Sequence, residues 1–195
     1  YAGGALTISG TTVECYYLYA DGDITINEGA QVTVYGRNTY VGGTGTNGVH
    51  ANGAMLTVSG AETILNILYN DSARNVTPAV IEANGVTVND GATLYVGKTE
   101  SSTYYWPLGI WFGNGGTMTV SDGADVTFDT RDGKVFNNNG TVTVTGDNTN
   151  FTVITTEEYF QGSGDDVTIT GTVIWLTPEQ ADAGGTADPS EEQAA

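Results

Sequence analysis

The chain has 195 residues, and 23 Asp and Glu residues against five Lys and Arg give a formal net charge of −18 at pH 7. This acidity argues against nucleic acid and anionic membranes as partners, because their phosphate groups would be repelled. No apolar run reaches membrane-spanning length, so membrane insertion is not expected, and the length suits a single domain. Strong acidity is common in secreted and cell-surface proteins, which predicts an extracellular location.

Triplets of the form apolar-Thr-apolar recur along the chain and organise it. They are Leu6-Thr7-Ile8, Ile24-Thr25-Ile26, Leu56-Thr57-Val58, Val86-Thr87-Val88, Met118-Thr119-Val120, Val142-Thr143-Val144 and Val167-Thr168-Ile169. Alternation with a period of two residues, rich in β-branched side chains, predicts a half-buried β-strand. From the second triplet on, a glycine precedes and follows each strand and supplies the backbone freedom of a corner.

Two further strands are predicted in each repeat. A second run follows the second glycine, as Val32-Thr33-Val34, Leu65-Asn66-Ile67, Leu94-Tyr95-Val96, Val126-Thr127-Phe128, Phe151-Thr152-Val153 and Val173-Ile174-Trp175. A weaker strand precedes the first glycine, at 18–20, 49–51, 80–83, 110–112 and 135–136. Three short strands per repeat, with no helical periodicity, predict an all-β fold: a parallel β-helix of about six coils.

The repeat resembles that of a known family. Gly48-Val49-His50-Ala51-Asn52-Gly53, leading into Met55–Ser59, and Val88-Asn89-Asp90-Gly91-Ala92-Thr93-Leu94 carry the likeness. They resemble the right-handed, pectate-lyase-like parallel β-helices, and most of all the carbohydrate-binding and adhesin domains of bacterial cell-surface proteins. The resemblance covers about Gly4 to Leu176 and implies a glycan-binding or adhesion module. Its motifs are architectural, so no catalytic residue follows from it.

Two segments are distinguished by composition. Residues 1–176 carry the repeats and form the predicted β-helix domain. Residues 177–195 are rich in Ala, Asp, Glu, Gly and Pro, which predicts a disordered acidic linker or tail.

A polysaccharide lyase or hydrolase is the less favoured alternative. Lyase chemistry needs a basic proton acceptor beside a Ca²⁺ site, and hydrolysis needs paired carboxylates. The chain has one histidine, His50, for which a structural or surface role is the better interpretation. Its few adjacent acidic pairs include Asp165-Asp166, which follows Gly164 at a corner where Asp favours turns. The sequence therefore predicts a non-catalytic protein with no required cofactor.

Carboxylates at successive corners suit one metal. Asp90 and Asp122 precede glycines at corresponding corners, and Asp125 lies close by. Carboxylate oxygens are ligands that Ca²⁺ prefers, so these three residues are the candidate Ca²⁺ site. Asn-Asp-Gly is also ordinary turn chemistry, and that interpretation stays open.

The repeats differ in length at one position, after the second run. Inserted there are Tyr35–Gly48, Tyr69–Ala79, Gly97–Pro107 and the shorter Asp129–Gly133. Insertions at equivalent positions of a solenoid lie on one side of the rod, which we term the insertion edge. All five cations and several aromatics lie in these segments or at their ends: Tyr35, Arg37, Tyr40, Tyr69, Arg74, Lys98, Tyr104, Tyr105, Trp106, Arg131 and Lys134.

This composition predicts that the insertion edge binds a polysaccharide or a cell-surface glycan. Aromatic faces stack on sugar rings, and arginine matches carboxylates, which favours an acidic glycan among the candidates. The competing interpretation is that charged residues simply concentrate in the longest loops.

Two other functions remain open. A structural stalk or a self-assembling subunit would associate end to end through unpaired coil ends. The Thr ladder, extended at Thr57/Ser59, Thr143/Thr145 and Thr168/Thr170, resembles the arrays of ice-binding β-solenoids, although Thr is also simply a good strand residue. Cys15 is the single cysteine, so no intramolecular disulfide forms, and it is predicted to be a buried small hydrophobe.

Overall fold

The computed structural model describes residues 1–37, 49–51, 53–70, 79–98, 108–131, 135–137, 140–155 and 167–184. Its elements in chain order are β1 Leu6–Ser9, β2 Thr12–Cys15, β3 Leu18–Ala20, β4 Ile24–Asn27, β5 Gln31–Arg37, β6 Val49–Ala51, β7 Met55–Ser59, β8 Ile64–Asn70, β9 Ala79–Asn89, β10 Thr93–Lys98, β11 Leu108–Ser121, β12 Asp125–Arg131, β13 Phe136–Asn137, β14 Gly140–Thr145, β15 Asn150–Thr155, β16 Val167–Thr170, β17 Ile174–Leu176 and α1 Pro178–Asp182.

The strands form two parallel sheets, which confirms the predicted all-β parallel β-helix. The main path of a ten-stranded sheet is β1-β4-β7-β9-β11-β14-β16, with β3, β6 and β13 paired beside it, and a seven-stranded sheet follows β2-β5-β8-β10-β12-β15-β17. Along these two main paths the chain places one strand in each sheet per coil, and the two together form a rung. The described residues contain seven rungs, against about six predicted, because β2 around Val13 completes a first coil for which the sequence analysis named no second run.

The predicted third strand exists but belongs to the ten-stranded sheet. It is separate as β3 and β6, which pair with each other, and as β13, which pairs with β11. In the two coils between β6 and β13 it is fused with the Thr triplet strand, within the longer β9 and β11. In these two coils the backbone stays extended from the third strand into the triplet strand, so no corner lies between the two. A register shift between Phe112 and Thr117 absorbs the irregularity.

The core lies between the two sheets and follows from the alternation. Ile24 of β4 pairs in register with Leu56 of β7, and both are fully buried. From the opposite sheet, the buried rings of Phe128 and Phe151 meet edge to face with centroids 5.8 Å apart. Each large apolar side chain buried in this way contributes about 1.5–3 kcal/mol. Stacking the coils thus builds one continuous core along the rod.

The corners between the sheets come in two kinds. In the first kind, two consecutive residues have positive φ, as at Glu28 (56°) and Gly29 (74°). The N–H of Ala30 donates to the carbonyl of Asn27 over 3.1 Å, which closes a turn of type I′. Corners with the same pair of positive φ values are Asp90-Gly91 and Asp122-Gly123.

The second kind of corner starts with a glycine and ends with a threonine. Gly60 has φ 95°, and the N–H of Thr63 donates to its carbonyl over 3.1 Å. The buried Thr63 hydroxyl accepts from the N–H of Gly29 on the preceding coil over 2.9 Å. The hydroxyl of Thr149 accepts from Gly123 in the same way over 3.0 Å. Each contact links a corner of one kind to a corner of the other.

The first residues of the segment assigned to the tail are helical. Thr177 caps α1 by accepting from the N–H of Gln180, and the Gln180 side chain accepts from the N–H of Thr177 over 2.7 Å. Pro178 is buried at the first turn of the helix. This capping box, Thr followed three residues later by Gln, favours a helix where composition alone predicted disorder.

Candidate functional site

The insertion edge coincides with one edge of the seven-stranded sheet. The carboxyl ends of β5, β8, β10 and β12 lie there, because these strands are parallel and in register. By backbone register, Tyr69 lies between Gly36 and Lys98 of the neighbouring strands. Arg37 lies opposite Asn70. The inserted segments therefore leave the sheet from adjacent positions.

The predicted glycan-binding residues divide into two groups. Tyr35, Arg37, Tyr69, Lys98 and Arg131 lie at the ends of the strands along this edge. Those that lie outside the described residues are Tyr40, Arg74, Tyr104, Tyr105, Trp106 and Lys134. Glycan binding by either group stays a prediction.

The first coil contributes aromatics to this edge that the sequence analysis did not identify. Tyr16 and Tyr17 connect β2 to β3, the position at which later coils carry their insertions. Their exposed fractions are 54% and 51%, so both side chains are accessible to a ligand. The sequence analysis located the insertion edge from repeats with extra residues, and the first coil has no extra residues at this position.

A stack of side chains follows the insertion edge on the outer face of the third strands. Its members are Tyr1, Tyr19, His50 and Glu82, which we term the tyrosine ladder. Tyr19 pairs in register with His50, and His50 pairs with Glu82. Tyr1 joins through the bridge between its neighbour Ala2 and the third strand of the first coil.

The members of the tyrosine ladder touch one another. The rings of Tyr1 and Tyr19 are stacked with centroids 5.3 Å apart and planes at 28°. The ring of Tyr19 meets that of His50 at 4.8 Å, tilted by 54°. Nδ1 of His50 lies 3.6 Å from a carboxylate oxygen of Glu82. The surface role assigned to His50 is thus refined: its side chain is 22% exposed and joins aromatic rings to a carboxylate.

Asp21 gives the ladder a negative environment. The hydroxyl of Tyr1 donates to a carboxylate oxygen of Asp21 over 2.6 Å, and this hydrogen bond, with the charge of Asp21, raises the pKa of Tyr1. Desolvation, followed by the charge of Asp21, a hydrogen bond to it and the charge of Glu82, raises the pKa of Tyr19. The surface therefore disfavours added negative charge.

The carboxylates proposed for Ca²⁺ do not form a metal-binding group. Asp90 and Asp122 occupy equivalent left-handed positions of adjacent corners, with φ 55° each. The hydroxyl of Ser121 donates to Asp122 over 2.8 Å, and Asp125 starts the next strand in register with Thr93. Among the residues that the structure describes, no three His, Cys, Asp or Glu side chains are grouped to hold a metal. Turn geometry accounts for Asp90 and Asp122 at these positions.

The Thr ladder is in register across all seven rungs of the described structure. Its members are Thr7, Thr25, Thr57, Thr87, Thr119, Thr143 and Thr170. The last rung differs from the predicted triplet, because Thr168 lies opposite Thr141 and Thr170 takes the expected place. The array exists on the outer face of the sheet, while ice binding stays an untested alternative.

Cys15 is only partly buried, although it packs against the core as predicted for a small hydrophobe. Burial raises the pKa of its thiol, and a backbone hydrogen bond at Tyr17 opposes that effect. A raised pKa lowers the fraction of nucleophilic thiolate at neutral pH. This favours a packing role over a reactive one.

Comparisons with protein-family models, with curated proteins and with solved structures find no match for this chain. Within the described part of the chain, no helix is long and apolar enough to cross a membrane. Function must therefore be inferred from the surfaces described above.

Proposed function

We propose that this chain is a non-catalytic, extracellular module that binds glycans or mediates surface adhesion. In fold it is a parallel β-helix, and the finer likeness, to pectate-lyase-like carbohydrate-binding and adhesin domains, is part of the proposal. The observation that carries it is the tyrosine ladder, a stack of aromatic rings and carboxylates on the outer surface beside the insertion edge.

The composition of the ladder suits a sugar. Pyranose rings present C–H faces that pack on aromatic rings, and hydroxyl groups that hydrogen-bond to carboxylates. Tyr1 is 83% exposed, so its ring is accessible, and the neighbouring Asp21 carboxylate is exposed as well. Exposed Tyr16 and Tyr17 extend the aromatic surface towards the insertion edge.

Affinity electrophoresis tests this proposal. The protein is run through gels that contain neutral or acidic polysaccharides, with and without Ca²⁺. Retardation by one polymer, weakened in Tyr19→Ala or in Tyr105→Ala/Trp106→Ala, is the expected result. The two variants separate the tyrosine ladder from the insertion edge.

Met55→Ala is the matched control, because Met55 is 36% exposed on the outside of the ten-stranded sheet. It removes exposed apolar area without altering either candidate surface and should leave retardation unchanged. Clearing of a polymer would overturn the non-catalytic assignment. The absence of retardation in every gel would overturn glycan binding.

A stalk or self-assembling subunit is the second candidate. In the described part of the chain, β1 and β2 at one end and β16 and β17 at the other have a neighbouring strand on one side only. Such edges present unpaired backbone groups that favour pairing with another chain. Sedimentation velocity over a concentration series distinguishes the two: growth into long oligomers supports assembly, and a constant monomer contradicts it.

A further inference from the structure

The tyrosine ladder and the adjoining Asp21 include two carboxylates, and none of these five residues is a lysine or an arginine. Asp21 and Glu82 both act on Tyr19, as its raised pKa reflects. The third strands of the first two coils, β3 and β6, contain no cationic residue other than His50. Exposed carboxylates in this setting attract cations and repel anions, most strongly at low salt.

The aromatic rings add a second attraction for the same kind of ligand. A cation held over the face of a tyrosine is attracted by the electrons of the ring. The ring of Tyr1 is exposed and stacks on Tyr19, which lies between Tyr1 and His50. The hydroxyl of Tyr1 donates directly to Asp21. A carboxylate next to an exposed aromatic face is the combination that recognises an ammonium group.

We propose that the tyrosine ladder binds amino sugars, with the ammonium group of a hexosamine held between Asp21 and the exposed ring of Tyr1, which stacks on Tyr19. This rests on the glycan-binding function proposed above and names the class of glycan. Uronic acids are disfavoured on this surface because their carboxylates would face Asp21 and Glu82. The acidic glycan predicted for the insertion edge would thus require a different surface of the same rod.

The test is isothermal titration calorimetry of the whole chain at physiological ionic strength. Three hexasaccharide probes are compared: a glucosamine oligomer, which is cationic when protonated, its fully N-acetylated counterpart, which is neutral, and an oligogalacturonate, which is anionic and also differs in sugar and linkage. We expect binding of the glucosamine oligomer to exceed that of the acetylated probe by about fivefold or more, and oligogalacturonate to bind least on this surface. Asp21→Asn and Tyr19→Leu should each weaken glucosamine binding by about fivefold.

The control variant is Asp147→Asn. Asp147 is an exposed carboxylate at a corner between the two sheets, so the variant makes the same change in net charge away from the ladder. If Asp21→Asn and Asp147→Asn weaken binding equally, attraction is due to overall charge and the amino-sugar site is wrong. Equal binding of the glucosamine and acetylated probes, lost in Tyr19→Leu, would overturn the ammonium assignment while leaving glycan binding intact. If no probe binds and the polysaccharide gels also show no retardation, both proposals fail.

Discussion

The side chain of Thr63 accepts a hydrogen bond from the backbone N–H of Gly29, one coil away, over 2.9 Å. Thr63 is fully buried, and its own N–H closes the turn that begins at Gly60. The same contact recurs between Thr149 and Gly123 over 3.0 Å, at a more exposed corner. Threonine at the end of the second kind of corner thus fixes how successive coils stack.

Thr63→Val should lower the free energy of unfolding by about 1–3 kcal/mol, because the N–H of Gly29 loses its acceptor within a buried corner. Thr149→Val is the matched control and should lower the free energy of unfolding by less, since water can replace a partly exposed hydroxyl as the acceptor. Urea denaturation followed by circular dichroism measures both. Equal, negligible losses would contradict a linking role for Thr63.

Gly171 cannot be replaced by alanine without displacing its neighbour. Its φ is 102°, and an added Cβ would lie 2.9 Å from the carbonyl carbon of Val144 and nearer still to the oxygen. At Gly123, with φ 78°, an added Cβ meets nothing. We expect Gly123→Ala to cost about 1–2 kcal/mol, the ordinary penalty of a left-handed residue, and Gly171→Ala clearly more. Similar urea midpoints for the two variants would contradict this close approach.

The position of Gly171 also explains where prediction from the sequence failed. Thr168 and Thr170 both fit an apolar-Thr alternation, and a shift of two residues keeps the same side chains on the same face of a strand. The sequence pattern therefore cannot choose between them. In the structure Thr170 lies opposite Thr143, so Gly171 follows opposite Val144. In the preceding coil Gly146 follows opposite Asp122, which is two positions further along the strand.

The strands themselves were predictable because short-range patterns determine them. The flanking glycines and the alternation located the triplet strands and the second runs, including Val32–Val34 within β5. The tyrosine ladder was not predictable, because Tyr19, His50 and Glu82 come from different coils and share no residue type. Only the register of the short third strands brings them together.

The edge-to-face pair of Phe128 and Phe151 offers a test of packing between adjacent coils. Both rings are fully buried, with planes at 75°. Phe151→Ala should cost about 3–5 kcal/mol because it removes apolar contacts and leaves a cavity. In a double-mutant cycle with Phe128→Leu, the coupling should be about 0.5–1.5 kcal/mol, the contribution of an aromatic pair beyond its buried area. Additive effects would show that the two rings stabilise the core independently.

Alkaline pH should destabilise the fold because it ionises the phenols of Tyr1 and Tyr19 in the tyrosine ladder. The pKa values of Tyr1 and Tyr19 are raised above the ordinary 10.0, so the folded state retains protons that the unfolded chain releases. The contribution of these two phenols to the free energy of unfolding is therefore fully present below pH 10 and is lost as the pH rises through their raised pKa values. Burial raises the pKa of the Cys15 thiol above 9.0, which acts in the same direction. Measuring the variants in a Cys15→Ala background removes this contribution.

Asp21→Asn tests whether Asp21 causes the raised pKa values of Tyr1 and Tyr19. The hydrogen bond to Asp21 is the largest contribution for Tyr1, and the charge of Asp21 also acts on Tyr19, so the variant should move both phenols towards 10.0. Absorbance titration of tyrosinate should show a late component that moves to lower pH in Asp21→Asn and disappears in Tyr1→Phe/Tyr19→Phe. If the late component survives the double replacement, the negative environment lies elsewhere, and the electrostatic support for an ammonium ligand at the ladder is lost with it.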